Sequence, residues 1–363
     1  MINIKDNKNY SLLYDIVKVF FFIYCFLVSI DLMGIAFKSQ KDFAVGLIES
    51  TSNPFIGLVI GIVVTSIIQS SSTTTSIIVA MVAAGILPIK TAIPMVMGAN
   101  IGTTVTNTIV SFGYVGRKIE FERAFAASIV HDMFNIYAVC IFFPLEIYFN
   151  IIYTTSIFLE KIFAGMGGLK FTSPLKYIIR PVSEPIADSI GNHYVMLVIA
   201  LVCLFFSMTR IITNMRGIVI VKIEQVLNQY LFRNALISLL FGIMFTAIVQ
   251  SSSITVSLLI PLVGAGVLTI EQIFPYTLGA NIGTTVTALL AALSLGTEAA
   301  LTIAICHFVF NVFGIIVFYP LKFIPIKTAL TIAKYVSKSK RHFFIFLIIY
   351  IVLHTVPIIF AKF

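Results

Sequence analysis

Five stretches of the chain, 17–36, 124–145, 193–209, 299–321 and 343–361, are almost continuously apolar. Each is close to the ~20 residues that cross the hydrocarbon layer of a bilayer, so each predicts a transmembrane helix. The first contains two charges, Lys18 at its start and Asp31 within it. Two longer regions, 55–112 and 236–293, are equally apolar, with Lys90 and Glu271 almost their only charges. They are too long for one span, and Gly, Pro, Ser and Thr interrupt them. Such residues at membrane depth imply non-helical backbone, which is tolerated only where it lines a cavity or packs in protein. We therefore expect 55–87 and 236–268 to be re-entrant hairpins with Gln-Ser-Ser-Ser near their tips.

The two long regions are copies of one another. With Gly61 laid on Gly242, GIVVTSIIQSSSTTTSI (61–77) matches GIMFTAIVQSSSITVSL (242–258), and PMVMGANIGTTVT (94–106) matches PYTLGANIGTTVT (275–287). After a five-residue deletion His131, Phe134, Asn135 and Pro144 match His307, Phe310, Asn311 and Pro320. An internal duplication of this kind defines the architecture. Its handedness in the membrane follows from loop charge. The first copy is followed by GYVGRKIEFER, with Arg117, Lys118 and Arg123, whereas the second is followed by SLGTEAA, which has no base. The first is preceded by a neutral loop at 37–54, the second by 210–235 with Arg210, Arg216, Lys222 and Arg233. The basic side swaps between copies, as opposite orientation requires under the positive-inside rule.

The expected fold is thus an all-α polytopic membrane protein with two inverted-topology repeats, each a hairpin plus transmembrane helices. The N-terminal helix and first repeat occupy 1–145, an external linker rich in proline 146–192, and the second repeat 193–321. A basic cytoplasmic stretch and a terminal hydrophobic helix fill 322–363.

Composition changes the picture only by exclusion. Hydrophobic types make up 59% and charged types 11% of 363 residues, too few charges for the surface of a soluble domain, which carries about a quarter. The net charge of +9 lies in loops flanking the spans, so lipid and not nucleic acid is the expected partner. The four cysteines all fall inside apolar runs, which argues against a disulfide or metal framework.

The candidate chemistry lies in the repeated motifs. Gln69-Ser70-Ser71-Ser72 and Gln250-Ser251-Ser252-Ser253 offer hydroxyls, amides and, where a helix breaks, free backbone groups. Hydroxyl and N–H donors can enclose an oxyanion, and broken-helix N-termini favour negative charge. The oxygens of the same groups are hard ligands suited to a cation such as sodium. Asn100 to Thr106 and Asn281 to Thr287 repeat that chemistry, and helical spacing places Thr103 with Thr106, and Thr284 with Thr287, on one face. Asp132 is an intramembrane carboxylate, a functional candidate by default. His131 and His307 are read as packing histidines, and Asp31 has no assigned partner. An intramembrane hydrolase would need a general base near Gln-Ser-Ser-Ser, and none recurs there. A channel is a third class.

The paired QSSS blocks, GANIGTTVTNTIV and EFERAFAASIVHDMFNIYAVCIFFPLE resemble the type II sodium-dependent phosphate cotransporter family over roughly 55–145 and 236–321. The resemblance implies sodium-driven uptake of inorganic phosphate by alternating access. It implies no enzyme activity, and no cofactor beyond sodium as the coupling ion. It places phosphate at midplane between the hairpins, on Ser70, Ser71, Ser72, Ser252 and Ser253, with Asn100 and Asn281 beside them. It gives sodium Gln250, Ser251, Thr284 and Thr287, with Gln69, Thr103, Thr106, Asp132 and Asn135 as further candidates. An Asp matching Asp132 accompanies an extra, charge-carrying sodium in the family. Animal members commonly read Gly-Asp-Arg where this chain has Gly116-Arg117-Lys118, and Gln where it has Tyr114, so a neighbouring sodium site is altered. The chain resembles a minimal bacterial-type member without a soluble regulatory domain, expected in the inner membrane. Another small oxyanion, or coupling to protons, is the alternative; the sequence does not set the oligomeric state.

Overall fold

The computed structural model describes residues 4–38, 53–165, 174–227 and 234–355. Most of the 37–54 loop, residues 166–173 and 228–233, and the end of the 343–361 span lie outside these. The described residues are all-helical. Helix α1 (Ile4–Lys38) precedes the first copy, which contains α2 (Pro54–Ile68), α3 (Ser71–Ala83), α4 (Ile89–Gly102), α5 (Val105–Ser111) and α6 (Lys118–Phe149). Two helices follow, α7 (Ile151–Gly165) and α8 (Pro174–Ile190), and then α9 (His193–Leu227). The second copy comprises α10 (Ala235–Val249), α11 (Ser252–Ser257), α12 (Ile260–Gly264), α13 (Ile270–Leu295) and α14 (Glu298–Phe318). The chain continues into α15 (Phe323–Val336) and α16 (Lys340–Thr355).

Among the described residues five helical segments are long and apolar enough to cross a bilayer: Val17–Phe37, α6, His193–Ile211, α13 and α14. The interior keeps a large apolar core, but the exterior is apolar too and many polar side chains are buried. Phe20, Val198, Val202 and Ile348 face outward, while Asn100, Asn107, Thr108, Asn135 and Thr284 are buried. An outside of this kind suits lipid, and an inside of this kind suits polar cargo.

Within each copy one helix pair is packed backbone to backbone. A Cβ at Gly61 would lie 2.0 Å from the Met95 carbonyl oxygen, and one at Gly98 2.0 Å from that of Leu58. The second copy repeats this with Gly242 against Tyr276 at 2.3 Å and Gly279 against Leu239 at 2.1 Å. No side chain fits at these four points, so glycine is what lets α2 lie on α4 and α10 on α13.

The helices that precede the two copies, α1 and α9, pack along each other. Phe22 meets Phe206 edge-on at 5.9 Å, while Lys18 and Phe21 share a cavity with Arg210 and Asn214. Residue numbers rise along one helix as they fall along the other, so the pair is antiparallel.

The proline-rich 146–192 segment is helical over most of its described part. Asn150, with φ 49°, ends α6 in the left-handed conformation. Glu146 Oε2 accepts the Ile152 N–H at 2.7 Å and so caps the start of α7. Pro181 and Pro185 lie inside α8. Helix α7 packs on α14 and α8 on α1, where the Ser183 hydroxyl donates to Asp31 Oδ2 at 2.5 Å. That bond gives Asp31 its partner and fixes α8 to the first helix. The basic stretch after the second copy is also helical: α15 lies along α6, joined by the Tyr137 and Thr328 hydroxyls at 2.9 Å.

Candidate functional site

Both Gln-Ser-Ser-Ser blocks form the same turn. Gln69 ends α2 with φ 57° and Gln250 ends α10 with φ 60°, both left-handed. This conformation is uncommon for a residue other than glycine and carries strain. Each glutamine N–H still closes the helix, onto Thr65 and Thr246 carbonyls at 2.7 Å. Ser70 and Ser251 then run extended and become N-caps, accepting from the N–H groups of Thr73 and Ile254. Ser71 and Ser252 open α3 and α11, and both are buried.

The third serines cross between copies. Ser72 Oγ donates to the Gln250 carbonyl at 3.0 Å, and Ser253 Oγ to the Thr103 carbonyl at 3.0 Å. Gln250 is further fixed through its side chain, because Thr287 Oγ1 donates to its Oε1 at 2.5 Å. Thr287 Oγ1 also lies 3.4 Å from Ser72 Oγ. Ser72, Gln250 and Thr287 therefore form one cluster and Ser253 and Thr103 another. Thr284 bonds its own helix at Asn281 O. Neither Ser72 nor Ser253 bonds a histidine or a carboxylate, the pairing a serine nucleophile requires.

The copies are not in the same state. Gln250 is 5% exposed, whereas Gln69 is exposed. The shared nonapeptide runs unbroken through α13 but breaks at Thr103 and Thr104 between α4 and α5. That break separates Thr103 from Thr106, and the Thr106 hydroxyl is buried without a partner. Copy two breaks elsewhere, between α11 and α12, where Pro261 lacks the N–H that would bond Ser257.

A polar seam joins the copies below these turns. His307 Nε2 lies 3.1 Å from Asn100 Oδ1, and Asn100 Nδ2 donates to Asn311 Oδ1 at 2.9 Å. Reciprocally, His131 Nε2 lies 2.5 Å from Asn281 Oδ1, and Asn281 Nδ2 donates to Asn135 Oδ1 at 2.7 Å. Each asparagine of one copy takes the histidine and asparagine of the other, the exchange a two-fold relation produces. Because the asparagine amides donate elsewhere, each histidine donates from Nε2. Both carboxamides, and Asn135, thereby bond across the two copies.

Asp132 is buried on α6. Its Oδ2 lies 3.5 Å from both Thr108 Oγ1 and Tyr350 Oη, and its Oδ1 has no partner. Asn107, beside Thr108, accepts from Ser257 while its Nδ2 is unpartnered. Arg117 is remote in character from this group: exposed, it pairs with Glu120 at 2.9 Å. Thr108 was legible in principle, four residues after Thr104 on one helical face; Tyr350, more than 200 positions away, carried no local signal.

Fold and site together define a polytopic helical membrane protein whose polar centre is assembled from two crossed copies of one motif. A family model described as Na+/Pi-cotransporter matches residues 25–170 and 203–324, and the chain belongs to that family. It is 32% identical over 410 residues to sodium-dependent phosphate transport protein 2A of Rattus norvegicus, covering 90% of this chain and 64% of that one. It is likewise 32% identical over 432 residues to protein 2B of Homo sapiens, covering 90% and 62%. The chain thus spans just under two thirds of the length of these curated relatives. No solved structure matches it.

Proposed function

We propose that the protein is a secondary carrier coupling sodium entry to uptake of inorganic phosphate, working in a bacterial inner membrane. Phosphate is held at mid-depth by Ser70, Ser71, Ser72, Ser252 and Ser253. The observation that carries the reading is the crossing of the two strained turns, in which Ser72 of the first copy bonds Gln250 of the second and Ser253 of the second bonds Thr103 of the first. An oxyanion accepts hydrogen bonds and a helix start supplies donors. Sodium takes the oxygens of Gln250, Thr287 and Thr284, and a further ion takes Asp132, because hard oxygens suit a hard cation.

The two copies sit upside down relative to each other in this reading. The swapped basic loops, the antiparallel α1 and α9, and the reciprocal His–Asn seam support it. The unequal state of the two turns supports alternating access. Gln250 is buried and bonded by Thr287 while its twin Gln69 is exposed, and exchange of these two arrangements opens the serine turns to one side and then the other. Asn100 and Asn281 act as the shared pivot.

The test is uptake of labelled phosphate into proteoliposomes with external sodium replaced by choline or lithium. Uptake in sodium alone is the expected result. Equal uptake in choline overturns the coupling, and undiminished uptake of phosphate in the presence of excess sulfate separates phosphate from a general oxyanion substrate.

A further inference from the structure

The carboxylate of Asp132 is too poorly bonded for its depth. A buried carboxylate is retained where several good donors surround it. Here Thr108 and Tyr350 both stand at 3.5 Å from Oδ2, the outer limit of a hydrogen bond, and Oδ1 has none. The spacing has another explanation. Oxygens about 2.4 Å from a shared six-coordinate cation lie about 3.4 Å from one another along each edge of the octahedron. The separations found are those of co-ligands.

Tyr350 is held for such a role. Its ring is packed between Phe346 at 5.3 Å and His354 at 4.2 Å on the same helix. Thr104 and Thr108 neighbour its hydroxyl. Helix α16 is itself anchored beside the start of α6, where Phe343 meets Phe112 at 5.0 Å and Phe346 meets Phe125 at 5.0 Å. This helix lies beyond residue 324, where the family match ends, so nothing in that match assigns it a part.

We propose that Tyr350 supplies the third oxygen of a sodium site formed with Asp132 and Thr108, making α16 a wall of the cation path. The proposal rests on the sodium-coupled reading above. It also requires α16 to shift whenever the ion passes that side, since Tyr350 stands against the carboxylate.

The test is sodium titration of purified full-length protein without phosphate, read as radioactive sodium binding and as the sodium-dependent rise in melting temperature. In Tyr350→Phe the sodium affinity of this site should fall roughly tenfold or more, the loss of one charge-assisted partner. Melting without sodium should stay near wild type. Thr108→Val should give the same signature. Sodium binding unchanged in Tyr350→Phe overturns the proposal, as does a fall in sodium-free stability with normal sodium binding, which would make the tyrosine merely structural. A wild type indifferent to sodium overturns the coupled reading itself, and is distinguished by needing no variant.

Discussion

Ser252 and Ser253 are adjacent, similarly buried and chemically identical, yet they should respond to substitution in opposite ways. Ser252 is 2% exposed and its Oγ has no hydrogen-bond partner. A buried unbonded hydroxyl costs about 1–3 kcal/mol. Ser252→Ala should therefore leave the ligand-free protein as stable as wild type or more so. Ser253 donates to the Thr103 carbonyl at the helix break, so Ser253→Ala strands a buried acceptor and should destabilise by about 1–3 kcal/mol. For the substrate the order reverses. A hydroxyl that bonds only a charged ligand contributes about 1.5–3 kcal/mol to it, so Ser252→Ala should weaken phosphate roughly tenfold to a hundredfold. Thermal unfolding of both variants in sodium, with phosphate titrated in, gives both quantities, and the uptake KM gives the second independently. A Ser252→Ala protein that melts early while binding phosphate normally would refute the reasoning, because the hydroxyl would then belong to the fold.

Further outcomes follow from other parts of the structure. Gly98→Val should abolish folded protein at the membrane, measured by monodisperse yield, because its Cβ position meets the Leu58 carbonyl at 2.0 Å; Gly113→Val, with open space around it, should express normally. Asn281→Leu should cost about 2–5 kcal/mol of stability by leaving His131 Nε2–H and Asn135 Oδ1 without partners. Transport should be electrogenic through the ion proposed at buried Asp132, since Arg117, the cation that would oppose it, is exposed and paired with Glu120. An inside-negative potential worth about 2.3 kcal/mol per charge per 100 mV should speed uptake, and Asp132→Gly should remove that acceleration. Introduced cysteines in 37–54 and 293–298 should label from outside, and those in 113–123 and 210–235 should not.

The duplication and the long spans were legible because hydropathy and repetition are properties of the chain alone. The helix ends were less so. The break between α11 and α12 can be traced to Pro261, but the break at Thr103 and Thr104 lies inside a motif that both copies share. The same GANIGTTVT is continuous in α13, where Ala288-Leu289-Leu290 follow it instead of Asn107-Thr108-Ile109, and at the break the Ser253 hydroxyl bonds the Thr103 carbonyl. Glutamine carries no propensity for the left-handed turn, so only its recurrence at Gln69 and Gln250 pointed there. The prolines of 146–192 concealed a helix, since Pro181 and Pro185 are accommodated in one held to α1 by Ser183 and Asp31. The bonds that Asn100 and Asn281 make across the copies were not legible in the sequence. Their partners His307 and His131 come from the opposite copy, and sequence alone does not show which copy a residue faces.

The central claim is that sodium drives phosphate through this seam, and uphill movement tests it most directly. Proteoliposomes are loaded with the same phosphate concentration inside and out, and a tenfold inward sodium gradient is then imposed. Each coupled ion supplies about 1.4 kcal/mol, enough for tenfold accumulation. The account predicts that internal phosphate rises well above external, collapses when a sodium ionophore is added, and does not rise in Ser252→Ala at low phosphate. Phosphate that only exchanges to equal concentrations, whatever the sodium gradient, would contradict it.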